Sequence, residues 1–349
     1  MVNYIGLSPN GHWAVRLSMP NTVEMTRLST EALPTRTRLQ LAGGGPVVGE
    51  AAAALPTIRG VVFVDHRSGE TLHVERGAIG TRPIATDGER FVLHIRGEPC
   101  FAVWVDPGKP NERCEVELPR MGPTAMIVAD PETLQVVAPS TGRWLALTAT
   151  SDRSVTSAAG QGTPLAFRGG QLVLGRQDGT IEVHSTDHSD TLIVDACDRV
   201  KMPFATAAIN SAASLAFVIR RGAAVREVDV MSIDLTENRV LWQGGFQTMA
   251  MGQRPYFVSA DEVLIPTELR ARRPGRSRWR GEAIAEIRNV LTGEVCGRVM
   301  PPANQSASNG VVCVADRRPV CAAVLGTDLP EVVLFEAHGG VPFRTHQVG

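Results

Sequence analysis

Lysine is almost missing from this 349-residue chain. Of its 35 basic residues only Lys109 and Lys201 are lysine, and the rest are arginine. With the abundance of Ala, Gly and Val, this points to the codon preference of a GC-rich bacterial genome. An arginine here therefore carries less functional information than usual. Aromatic residues are also scarce, at 5%, with only two tyrosines. No stretch approaches the about 18 consecutive apolar residues of a membrane-spanning helix, so no membrane contact is expected. The opening residues, MVNYIGLSPNGHW, show no basic segment followed by an apolar block, which argues against a secretory signal. No mitochondrial or nuclear address is indicated, and a cytoplasmic location is expected.

The motifs of catalysis and metal binding are missing too. The six cysteines (Cys100, Cys114, Cys197, Cys296, Cys313, Cys321) are scattered, with no CxxC and no Cys/His pair at ligand spacing. Most lie in apolar runs such as VVCVAD, and they are expected to be reduced, small core residues rather than a disulfide framework. No GxSxG marks a nucleophile, and Ser68 and Ser140 have no defined base. AGGGP (42–46) lacks the Lys-Ser/Thr of a phosphate loop. VHSTDHSD groups His184, Asp187, His188 and Asp190, and its two histidines, four apart, would share a helix face, but the segment reads as a strand and its turn. His66 beside Asp65 points to the opposite side of a strand. No cofactor or metal is therefore expected. Helical periodicity is also lacking; GEAAAAL (49–55) is too short and too glycine-flanked to be a helix.

What the chain does have is a repeat. A short apolar strand, a polar turn and a second strand recur in VVFVDHRSGETLHVE (61–75) and FAVWVDPGKPNERCEVEL (101–118). The pattern returns from Arg143, Ile181, Glu227, Ala285 and Val332, and more loosely from Val23. The hairpins follow one another about every 40 residues or somewhat more. Two more strand-like runs lie between successive hairpins, as in PLAFR-GG-QLVLG-RQDG-TIEVH. Four-stranded units of this size bury their faces by stacking radially. The expected fold is an all-β, single-domain β-propeller over 1–349, built of four-stranded antiparallel blades. Eight blades are favoured. Seven are possible, because the outer half of the unit at 46–75 is poor.

SPNGHWAVRLS resembles the opening strands of a WD40-type blade. VVFVDHRSGETL resembles a third strand, turn and fourth strand, and EIRNVLTGEVCGR is similar. The turns also resemble those of quinoprotein-like propellers. No Trp-Asp dipeptide occurs; VWVD (103–106) has Val before its Asp. The resemblance implies a scaffold fold that hosts many functions.

In an antiparallel meander the second-to-third connections leave one end of each sheet, and the first-to-second and third-to-fourth turns leave the other. Sorted so, the turns at the latter end read acidic, while the second-to-third connections carry Arg96, Arg176, Arg220 and Arg221. The longest is RARRPGRSRWRG (270–281), with Arg270, Arg272, Arg273, Arg276, Arg278, Trp279 and Arg280 between EVLIPTEL and EAIAEIRNV. A hairpin usually needs about two to five loop residues. Arginine and tryptophan are enriched at binding hot spots. Three readings compete: a protein-docking loop, a nucleic-acid contact, and a solvated insertion. A net charge of -1 and the lack of a second basic tract weigh against nucleic acid. The expected role is a non-enzymatic interaction scaffold, a subunit of a bacterial multiprotein system, docking a protein partner with an acidic surface. The alternatives are a propeller hydrolase, lyase or redox enzyme with its site at the channel mouth, and a nucleic-acid-binding propeller.

Overall fold

The computed structural model describes residues 3–18, 21–28, 33–120, 127–140, 143–149, 155–159, 162–176, 178–186, 191–194, 205–221, 227–247, 254–266, 283, 285–300, 313–314, 320–325, 331–336 and 342–346. All regular structure among them is β. Eight four-stranded sheets follow in chain order, over 3–38, 47–76, 82–117, 128–159, 163–194, 205–247, 256–299 and 313–346. In each, sequence neighbours are spatial neighbours, and the pairing is antiparallel. The segment 46–75 thus holds a complete sheet. Its first strand, Val47–Val48, is short, and its third and fourth, Gly60–Asp65 and Thr71–Arg76, are full.

The chain divides into two compact units, Met1–Gly170 and Gln171–Gly349. In the first unit, consecutive sheets pack face to face through the alternate residues of their middle strands. Ala53, Leu55, Val62 and Val64 of sheet two meet Val15, Leu17, Val23 and Met25 of sheet one. Their neighbours Ala52, Ala54, Val61 and Phe63 meet Phe91, Leu93 and Val105 of sheet three. This explains GEAAAAL. Ala52–Thr57 is a strand buried on both faces, so it lacks the alternation that marks a half-exposed strand. In the second unit, Phe217, Ile219, Val228 and Val230 pack on Val263, Ile265 and Val290. Fourth strands are largely exposed, as in Thr71–Arg76 and Val295–Val299.

The hairpin repeat has a physical basis. Asp65 accepts hydrogen bonds from the N–H groups two and three residues on, at 2.9 and 2.7 Å. Asp234 does the same at 2.9 and 3.0 Å, and Asn289 at 2.9 and 3.0 Å. Each turn ends four residues on in a left-handed residue: Gly69, Asn238 and Gly293. A β-bulge, one extra residue in the fourth strand where it pairs with the third, recurs in sheets two, four, six, seven and eight.

The cysteines depart in part from expectation. Cys321 is buried, and burial pushes its thiol up to about 12. Cys114 and Cys296 are exposed, because they sit on outermost fourth strands with one face in solvent. All the described cysteine side chains are free thiols.

Candidate functional site

The second and third strands of sheet seven, Glu262–Pro266 and Ala285–Asn289, pair from Glu262↔Asn289 to Pro266↔Ala285. Residues 267–284 therefore form the second-to-third connection of that sheet. Arg270, Arg272, Arg273, Arg276, Arg278, Trp279 and Arg280 themselves lie outside the described residues.

Within the second unit, two of the other predicted arginines come together. Sheet five turns at Arg176, whose N–H donates to the Thr180 carbonyl at 2.8 Å. The Arg176 guanidinium pairs with Glu182, a carboxylate only 1% exposed. Arg220, on the second strand of sheet six, is 8% exposed and donates to the carbonyl of Gly179, in that same turn of sheet five, at 3.3 Å. Its Nε lies 3.7 Å from Asp229. Arg220 thus stands at the expected end of its sheet but turns inward, and Arg176 shares its charge with a buried acid. Arg221 ends its strand opposite Val228, and its side chain is outside the described residues.

The acidic turns have a local use. Beyond Asp65 and Asp234, Asp87 accepts from the N–H groups of Glu89 and Arg90 and pairs with the Arg90 guanidinium at 2.9 Å. Asp106 accepts from Gly108 N–H. Asp130, 3% exposed, accepts from Glu132 N–H and, in the next sheet's turn, from Gly169 N–H at 2.7 Å. Aspartates close turns because a short carboxylate satisfies backbone donors nearby.

Arg96 has a different setting in the first unit. It follows the second strand of sheet three, Phe91–Ile95, in which His94 stands opposite Arg82 of the strand Arg82–Thr86. His94 is 2% exposed, and neither ring nitrogen has a hydrogen-bond partner. Burial, then Arg82 and Arg96, pull its pKa down to about 4. Burial and Arg96 likewise lower that of Arg82. Sequence reading found Arg96 and missed its two companions. Arg82 reaches the face of His94 only because the register slips by one between Val92 and Leu93. A regular ladder would set Pro83 opposite His94 and turn Arg82 to the other face.

His66 and His184 hold local structure. His66 is fully buried, stacks on Trp13 with ring centroids 4.9 Å apart, and donates from Nε2 to the Gly49 carbonyl at 3.0 Å. His184 lies 3.2 Å from Glu182 and 3.2 Å from Thr191 Oγ1. Asp187, His188 and Asp190 are outside the described residues. Among the described residues, no three His, Cys, Asp or Glu side chains are grouped so as to hold a metal ion.

No family model matches the chain, and no curated protein does. Solved structures do. The chain is similar to the dihydro-heme d1 dehydrogenase NirN in complex with DHE, at 15% identity over 99% of this chain and 74% of that one, with a TM-score of 0.64. It is similar to the WD40 domain of SCAP from fission yeast, at 8% identity over 97% of each chain, with a TM-score of 0.61. BamB from Moraxella catarrhalis follows at 13% identity, 93% and 96% coverage, and a TM-score of 0.56. At these identities the likeness establishes the fold. It is a β-propeller of four-stranded antiparallel blades, as the repeat in the sequence implies.

Proposed function

We propose that this protein is a non-enzymatic interaction module. It serves as one subunit of a bacterial, cytoplasmic multiprotein system and docks an acidic protein partner through residues 267–284. The observation that carries this reading is the length and make-up of that connection. The strands flanking it are paired right up to Pro266 and Ala285, where about two to five residues would close the hairpin. The chain instead places six arginines and Trp279 there. Arginine offers a planar fork of donors to carboxylates, and tryptophan a large anchor with little rotamer freedom to lose. Arg176 and Arg220 hold neighbouring turns of sheets five and six in place and supply scaffold more than free charge. A dehydrogenase and a WD40 domain share this fold, so the fold leaves the choice to the site.

The test is affinity capture from the native host with the triple variant R276E/R278E/R280E and with Trp279→Ala. Both are expected to retain the thermal unfolding midpoint and to lose the same captured protein. Retention of that protein by both variants would refute the docking loop. Capture of nucleic acid in its place would favour the nucleic-acid reading.

A further inference from the structure

We infer that Arg82, His94 and Arg96 form a binding site for a small oxyanion, a phosphate-, sulfate- or carboxylate-type group, in the first unit. His94 is buried to 2% exposure, and both its ring nitrogens lack partners. Buried polar atoms without partners cost free energy and are uncommon in native proteins. Arg82 lies directly across the ladder from His94, where facing side chains are about 5 Å apart at Cβ. Arg96 lies two positions beyond His94 and so on the same side. Its side chain folds back over Gly80. A Cβ at that glycine would stand 2.9 Å from Arg96 Cδ and 3.0 Å from Nη1. Gly80 also takes a φ of +94°, where a side chain is disfavoured on its own account. The turn is thus shaped to let the guanidinium lie across it. Thr81, 2% exposed, fixes the rim by accepting the Arg96 N–H on Oγ1 at 3.0 Å.

Among the described residues no acid answers these charges, and neither Arg82 nor Arg96 has an ion-pair partner. The nearby Glu98 lies 3.9 Å from Arg120, and both of those side chains are exposed. Opposite His94 the third strand contributes Ala102. The same face of the sheet is otherwise apolar, with Val92, Ile127 and Ala138 in its cluster. Two guanidinium groups beside a neutral imidazole repel one another when empty. They become a matched set of donors when one oxyanion sits between them. The neutral ring supplies one further N–H. The site uses none of residues 267–284, and its failure would leave the docking proposal standing.

The experiment is a titration of the full-length, 15N-labelled protein followed through its histidine ring resonances. The His94 signals are identified by their loss in His94→Gln. Sulfate is the first probe, because it does not titrate where His94 does, and sodium chloride of equal ionic strength is the control. The His94 signals are expected to shift saturably with sulfate and not with chloride, and its titration midpoint to rise when sulfate is bound. Arg82→Gln and Arg96→Gln should each weaken sulfate binding about tenfold or more. Arg120→Gln should leave it unchanged. Acetate and phosphate arms separate the sources: saturable acetate binding assigns a carboxylate, and phosphate binding without acetate binding assigns a tetrahedral group. Absence of any saturable, anion-specific shift would overturn the site, as would a loss in Arg120→Gln equal to that in Arg82→Gln. If either glutamine variant fails to fold, the contrast between anions and chloride in the unmodified protein decides alone.

Discussion

Two buried histidines set how this protein responds to acid. His94 is held at about 4, by burial first and then by Arg82 and Arg96. Burial also lowers His66, although the Gly49 carbonyl and Asp65 oppose it. In the unfolded chain both return to about 6.5. Between those values the unfolded state binds protons that the folded state refuses, so stability rises with pH across the window and is lost as pH falls through it. His94 alone accounts for roughly 3 kcal/mol over the full window. Urea midpoints measured from pH 7 down to about pH 4 should fall steadily, and His94→Gln should flatten that slope. An unchanged slope in the variant would show that His94 is solvated. Asp65 and Asp234 act in a separate, more acid range. Burial raises both carboxyls, but hydrogen bonds from their own turns outweigh it and hold them below 3.8. Asp130 offers a second check. Its truncation to Ala would leave Gly169 N–H without its acceptor and should cost about 2 kcal/mol in denaturant unfolding. Residues of this kind are hard to read from sequence. Nothing in IATDGERFVLHIR announces a one-residue bulge, and that bulge decides whether Arg82 faces His94.

Elements were far more legible, because the turn chemistry repeats. DHRSG, DLTEN and NVLTG carry an Asp or Asn that caps the turn and a Gly or Asn that leaves it left-handed. Every third-to-fourth hairpin expected from the sequence is present as a strand pair. Where that chemistry is lacking, reading fails. Ala52–Thr57 is buried on both faces and shows no alternation. Cys114, in NERCEVEL, and Cys296, in GEVCGRV, belong to outer strands and not to the core. The same logic makes two contrasting predictions. Ala213 and Leu134 both take a left-handed φ, +53° and +56°, in first-to-second turns. Ala213→Gly should raise stability by about 1 kcal/mol by relieving the Cβ clash. Leu134→Gly should bring no gain, since its side chain packs against Val136 and the rest of that cluster. Thermal midpoints of the two variants would show the difference. Thiol labelling tests the strand assignment itself. Cys114 and Cys296 should react in the native protein, and Cys321, buried and held un-ionised, only after unfolding.

At the scale of the whole molecule, a formal charge of -1 conceals an uneven division of labour. Many acids are committed to backbone turns, and described arginines such as Arg90, Arg176 and Arg288 are committed to acids nearby. These charges cancel over a few ångströms and contribute little at a distance. The segment 267–284 holds six arginines against Glu268 and Glu282, so its excess is not cancelled within its own sequence. Long-range attraction acts on the rate of encounter, whereas anchoring contacts act on the rate of escape. The two kinds of residue in the segment should therefore separate kinetically. With the captured partner in hand, the association rate should fall steeply as salt rises, and R276E/R278E/R280E should slow association about tenfold or more at low salt. Trp279→Ala should leave association nearly unchanged and speed dissociation instead. Surface-plasmon traces at several salt concentrations would measure both. An association rate indifferent to salt and to charge reversal would mean that the arginines reflect the coding preference already visible in the missing lysines, and not a surface built to meet an acidic partner.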